Sequence, residues 1–190
     1  MPEHFVEEPR AGVPIEALVE PVIPAPRLLI VGGGHVGQAV AIQAALVGFE
    51  IAVIEDRQEF SRPGLFPIGT EIRCGDMVDT LNRLTIDRDT YIVIVTRGHQ
   101  HDADALAACI RKPAAYSGMI GSRRKVALVR ESFITSGLAS EEEFDRVHAP
   151  IGLDIGALTV PEIATSIVAE LVAVRRTGGS SQSCRRSRRQ

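Results

Sequence analysis

The chain has 190 residues, 45% of them hydrophobic and 24% charged, which suits one globular domain of ordinary size with short tails. A net charge of −3 gives no general case for nucleic-acid binding. Cys74, Cys109 and Cys184 are odd in number and lack CxxC spacing, which argues against a disulfide framework or a cysteine zinc site.

Residues 1–26 carry six prolines, Pro2, Pro9, Pro14, Pro21, Pro24 and Pro26, and read as an extended arm or linker. The opening MPEHFVEEPR has no hydrophobic stretch of the secretory kind, and no apolar run reaches the ~18 residues of a membrane span. The expected location is therefore the cytoplasm, with no membrane partner. From Arg27 the pattern changes. Leu28-Leu29-Ile30-Val31 is a continuous apolar run before a glycine turn, as expected of a buried parallel strand. Val36, Val40, Ala44 and Val47 follow at helical spacing, and Gly48 ends that helix. Ile51-Ala52-Val53-Ile54 is a second strand ending at Glu55, which completes a βαβ unit.

The alternation continues with a weak strand over 71–73, a short helix over 77–84, and the clearest central strand at Tyr91–Val95. A helix over 102–110 follows, with Asp102 expected as its cap. Next come a strand over 116–120 and a helix over 122–136 with Ser122 at its N-cap. Ser140-Glu141-Glu142-Glu143 predicts a capping box, and residues 147–149 a last strand. Thr159-Val160-Pro161-Glu162 predicts another capping box, opening a helix with Ile163, Ile167, Leu171 and Val174 on one face. Strands alternating with helices imply an α/β, Rossmann-like doubly wound fold, its mostly parallel sheet covered by helices on both faces. The domain is placed at residues 27–176, and the Gly/Ser-rich, basic residues 177–190 read as a disordered tail.

The strongest functional signal is Gly32-Gly33-Gly34-His35-Val36-Gly37, a GxGxxG turn between a strand and a helix. Gly32 permits the tight turn, Gly34 lets backbone approach a phosphate, and Gly37 lets the helix pack on the sheet. The helix N-terminus offers free N–H groups and a partial positive charge. Glu55 is the candidate ribose partner, Asp56 the adjacent alternative, and Arg57 would favour a 2′-phosphate. Thr96, His99 and His101 follow a central strand at the edge where ligands bind in open α/β sheets. His35, His99, His101 and Cys74 are the weak candidates for metal contact; His-x-His is no specific metal spacing. Ser122, Arg123 and Arg124 open a helix with cations that its dipole disfavours, which points to an anionic ligand or partner. Asp154 sits in an apolar loop with two glycines, where it bonds loop amides or meets the ligand. Cys109 reads as core.

Four ordered motifs carry a resemblance: Leu29–Val36, Thr96-Arg97-Gly98-His99-x-x-Asp102, Met119–Lys125, and Pro150–Ala157. Together they resemble the XdhC/CoxI family of accessory factors for xanthine dehydrogenase and carbon monoxide dehydrogenase, over the C-terminal Rossmann domain of that family. The resemblance implies a maturation chaperone rather than an enzyme. Such a protein binds molybdenum cofactor, as molybdopterin or its dinucleotide, assists its sulfuration with a cysteine desulfurase, and delivers it to the apo-form of a molybdenum hydroxylase. Many relatives carry a further domain ahead of this one, where here the arm of 26 residues stands. The family's Thr-Pro-Glu-Glu opening of the last helix is altered here to Thr159-Val160-Pro161-Glu162. Two other readings stay open. One is an NAD(P)-dependent oxidoreductase, against which there is no Tyr-x-x-x-Lys pair. The other is a nucleotide-sensing module. A homodimer is compatible with the sequence and unproven by it.

Overall fold

The apolar runs in Arg27–Val31, Glu50–Glu55 and Thr90–Ile94 become strands because each is too short for a helix of useful length and is rich in β-branched residues, whereas Glu71–Cys74 and Tyr116–Met119 have weaker patterns and pair at or beside the sheet edges. The computed structural model describes residues 3–7, 15–19 and 25–177. Strands β3 (Arg27–Val31), β4 (Glu50–Glu55), β5 (Glu71–Cys74), β6 (Thr90–Ile94) and β7 (Tyr116–Met119) form one sheet in the order β5-β4-β3-β6-β7. Every pairing in it is parallel. Strand β3, which leads into the glycine turn, is central, so the chain leaves it first to one side and then to the other. Such a reversal of direction opens a crevice at the carboxyl edge.

The side-chain alternation of the strands divides the core in two. Leu28, Ile30, Ile51, Val53 and Val93 pack on α1 (His35–Leu46) and α6 (Val160–Thr177). Leu29, Val31, Ile54, Ile92 and Ile94 pack on α2 (Met77–Arg83), α3 (His99–Cys109), α4 (Arg123–Thr135) and α5 (Glu141–Asp145). Because both faces are covered, β3 and β6 are apolar at consecutive positions rather than at alternate ones. The expected Rossmann-like α/β architecture is the observed one. Cys109 is fully buried in this core, and burial pushes its thiol up to about 12, so it is inert packing as expected.

Several local expectations are corrected. The arm contains two short strands, β1 (Glu3–Glu7) and β2 (Ile15–Val19), paired antiparallel. Helix α3 starts at His99, three residues early, with Gly98 as its N-cap; Asp102 is therefore inside the first turn and does not cap it. Residues 147–149 form no strand: a single parallel bridge joins His148 to Gly118. The last helix continues through Thr177, and the expected tail beyond it lies outside the described residues. The Ser140 capping box is present with both its bonds, and Ser122 caps α4 through Lys125 N–H.

The turn between β3 and α1 is closed by Gly37. A Cβ there would overlap the carbonyl oxygen of Gly32 and press on Ile30. Gly37→Ala should therefore cost about 1–3 kcal/mol by overpacking. A denaturation midpoint equal to that of the parent would show that helix and turn are not in this contact.

Candidate functional site

The site is built on the carboxyl ends of β3, β4 and β6. Gly32 has φ +112, and a Cβ on it would stand 2.6 Å from the Val95 carbonyl oxygen. A Cβ on Gly33 would stand 2.8 Å from the Phe60 oxygen. Protein packing thus requires both glycines, and Gly37 with them. Gly34 differs: its φ is −67, which any residue adopts, and the nearest atom to an added Cβ is the tip of Arg57 at 4.0 Å. The protein's own packing does not demand a glycine at this position. Gly34 is also the N-cap of α1, no side chain caps that helix, and no acid lies in its first turn. The first-turn amides of His35, Val36 and Gly37 therefore have no partner within the helix and no side-chain cap. Gln38 braces the turn by donating from Nε2 to the Gly33 oxygen at 2.8 Å.

Glu55 ends β4 with a fully buried carboxylate. Oε2 accepts from Gly33 N–H at 2.8 Å and from Arg57 Nη2 at 3.1 Å. Oε1 accepts from Arg57 N–H at 3.1 Å and Arg57 Nε at 2.9 Å. Burial alone would raise this carboxyl, but the hydrogen bonds from Arg57 and Gly33 and the interaction with Asp56 outweigh it and hold it at about 2. The residue expected to meet a ribose is therefore engaged beneath the turn. Asp56, the alternative, is at the rim. Its Oδ2 accepts from Arg97 Nη2 at 3.0 Å, across from the loop after β6. Its Oδ1 is buried and accepts no hydrogen bond among the described residues; Arg57 Nε stands 3.7 Å away. The adjacent Glu55 and burial push the Asp56 carboxyl up. Arg57 in turn lies over the Phe60 ring at 4.1 Å, and the exposed His35 meets the same ring edge-on.

On the other side of β3, Asp102 is 1% exposed. Its Oδ1 accepts from Thr96 N–H at 3.0 Å and Thr96 Oγ1 at 2.5 Å, and its Oδ2 pairs with Lys125 Nζ at 2.5 Å. Thr96 and Lys125 are thus structural partners of Asp102. The Ser122 hydroxyl is committed to capping α4. Arg123, the first residue of α4, makes an exposed pair at 3.1 Å with Asp154 of the loop before α6, beyond β7 and two strands from β3. Arg124 is exposed.

Among the described residues no three of His, Cys, Asp or Glu are placed to share an ion. Cys74 is exposed at the end of edge strand β5, His101 is exposed on α3, and Asp102 is occupied. The side chain of His99 lies outside the described residues. Sequence reasoning missed three contributors. Phe60 has no local signal, since it sits in a single 3-10 turn, Gln58–Phe60, between β4 and β5. Arg97 lies in the Thr96–Asp102 motif, and its reach to Asp56 depends on strand order. Lys125 stands beside Arg123 and Arg124 in the sequence, yet its side chain turns inward to Asp102.

Glu55 gives a pH test. Its folded-state value is below its ordinary 4.5, so its contribution is complete above that value and is lost as pH falls from about 4.5 towards 2. Glu55→Gln should flatten the stability profile in that window and, by breaking a largely buried ion pair, cost about 3 kcal/mol at pH 7. Unaltered acid unfolding in the variant would remove Glu55 from its assigned role.

Comparison with known proteins gives the same reading of the fold. The family model described as the XdhC Rossmann domain matches residues 28–171. YqeB of Escherichia coli strain K12, described as uncharacterized, is 40% identical over 151 residues, which is 79% of this chain and 27% of that protein. The molybdenum cofactor insertion chaperone PaoD of the same organism is 26% identical over 152 residues, 80% of this chain and 41% of PaoD. A crystal structure described as a xanthine dehydrogenase from Bacillus halodurans superposes with a TM-score of 0.72 at 28% identity, covering 83% of this chain and 45% of that one. The chain spans less than half the length of each of these relatives. With the glycine turn and the three other motifs in order along one parallel sheet, the chain belongs to the XdhC Rossmann domain family.

Proposed function

We propose that this chain acts as an accessory factor in the maturation of a molybdenum hydroxylase such as xanthine dehydrogenase, and that it holds the phosphate end of molybdenum cofactor at the Gly32–Gly37 turn. The observation that carries this reading is the space at Gly34. Three glycines of the turn are required by the protein itself, while the fourth leaves room over uncapped helix amides. A phosphate, whether of molybdopterin or of its dinucleotide, suits such a place: His35, Val36 and Gly37 N–H groups donate, and Arg57 and Arg97 neutralise charge. Asp56 Oδ1 would accept from a ligand hydroxyl or amino group, and the exposed His35 would stand near the rim. When bound, the cofactor supplies the molybdenum centre that the target enzyme uses.

The printed name of PaoD, a cofactor insertion chaperone, supports the same class of role. Delivery to the apo-hydroxylase, and sulfuration with a cysteine desulfurase, are what the family resemblance adds. Arg123 and Arg124 would then face the partner, with Arg123 exchanging its exposed bond to Asp154, which is worth little in water. Self-association as a homodimer is compatible with this role.

The engagement of Glu55 weighs against a nicotinamide dinucleotide, because both carboxylate oxygens are spent within the turn. Gly34→Val tests the site. The variant should remain folded and bind molybdopterin species about 100-fold more weakly, the loss of one or two charge-assisted backbone bonds. Unchanged affinity would refute the phosphate site. Tight NADH binding with hydride turnover by the parent protein would replace the accessory role by that of an oxidoreductase.

A further inference from the structure

The amino edge of the sheet, opposite the glycine turn, holds a cavity of about 750 Å³. It lies where β6 and β7 begin and where α6 ends. Its walls carry Arg88, Arg111, Lys112, Arg146 and Arg175 against one carboxylate, Glu143, in a chain whose net charge is −3. Part of this charge has a local purpose. Lys112 Nζ serves the end of α2, donating to the Leu81 and Leu84 oxygens at 2.6 and 3.1 Å. Arg175 donates to the Val47 oxygen at the end of α1 and lies over the Phe49 ring. Helix C-termini attract cations in this way. Arg88, Arg111 and Arg146 are not accounted for by those helix ends. Arg111 makes an exposed two-point pair with Glu143 at 3.1 and 3.4 Å, the carboxylate that also closes the Ser140 capping box, and Arg146 makes an exposed pair with Glu142 at 3.2 Å; such exposed pairs are easily exchanged.

The wall between them is built rather than loose. His148 lines the cavity, and its Nδ1 is held 3.2 Å from Oε1 of the buried Glu170. Oε2 of Glu170 accepts from Tyr116 Oη at 2.7 Å and from Gly152 N–H at 2.8 Å. The Tyr116 and His148 rings stand 4.4 Å apart between centroids. A buried carboxylate thus fixes the imidazole and leaves its other nitrogen as the one free to meet a ligand.

We propose that this cavity is a second binding site, for a compact organic phosphate or polyphosphate, contacted by Arg88, Arg111, Arg146 and His148. Arginine forks match phosphate oxygens in pairs. The volume falls within the ~300–1,000 Å³ of small-molecule sites, and the shape is concave, whereas a docking face for another protein is broader and flatter. The site is independent of the phosphate reading of the glycine turn, because it lies at the other edge of the sheet and shares no residue with it.

The test is a titration of the full chain with inorganic pyrophosphate, followed by calorimetry and by amide chemical shifts. It uses the parent, Gly34→Val, and Gly34→Val combined with Arg88→Glu and Arg146→Glu. Both arginines are exposed, so the combined variant should match the thermal unfolding of Gly34→Val. Saturable binding should persist in Gly34→Val, shift amides of residues 110–117 and 146–148, and weaken at least tenfold in the combined variant. Binding that vanishes with Gly34→Val alone, or that is equally strong after both charge reversals, overturns the proposal. So does a parent protein that binds no pyrophosphate. Loss of molybdopterin binding without loss of pyrophosphate binding in Gly34→Val would separate the two sites.

Discussion

The buried carboxylate of Glu55 holds the candidate site in shape. A charge out of water is costly unless every acceptor direction is filled, and here the backbone of Gly33 and three donors of Arg57 fill them. This one group ties the end of β4 to the turn after β3. It also anchors Arg57 at the mouth of the turn, over Phe60. The turn is thereby fixed before any ligand arrives, and the uncapped amides at the start of α1 keep their direction.

A second buried ion pair does similar work on the other side. Asp102, from the first turn of α3, gathers the loop after β6 through Thr96 and the start of α4 through Lys125. The two buried carboxylates, Glu55 and Asp102, each bind a neighbouring loop amide and one cationic side chain, so three of the loops at the carboxyl edge are held in place. What they leave at the rim is the Asp56–Arg97 contact, which spans from the end of β4 to the loop after β6. That contact is part exposed and exchangeable, unlike the two beneath it. The carboxyl edge therefore combines a rigid floor with an adjustable lip.

The two edges of the sheet have opposite electrostatic duties. Helix N-termini meet at the carboxyl edge and present amides; helix C-termini meet at the amino edge and draw cations such as Lys112 and Arg175. The arginines beyond that need, together with the imidazole that Glu170 orients, give the amino edge a binding capacity of its own.

The order of the five sheet strands and their helices, the central glycine turn and the caps at Ser122 and Ser140 were legible in the sequence, because each depends on residues within one turn or one strand of each other. Leu28–Val31 before Gly32, and Ser140 with Glu143, are local patterns with one physical outcome. The start of α3 and the failure of residues 147–149 to form a strand were not legible: the first has no side-chain cap, and the second depends on how one backbone lies beside β7. The roles of the charged residues were decided only by the tertiary structure. Glu55 and Gly33 are 22 residues apart, and Asp102 and Lys125 are 23. Such pairs exist because the strand order brings their loops together at one edge, and burial there makes pairing compulsory. From composition and spacing alone, a carboxylate that binds a ligand and one that binds its own backbone look the same.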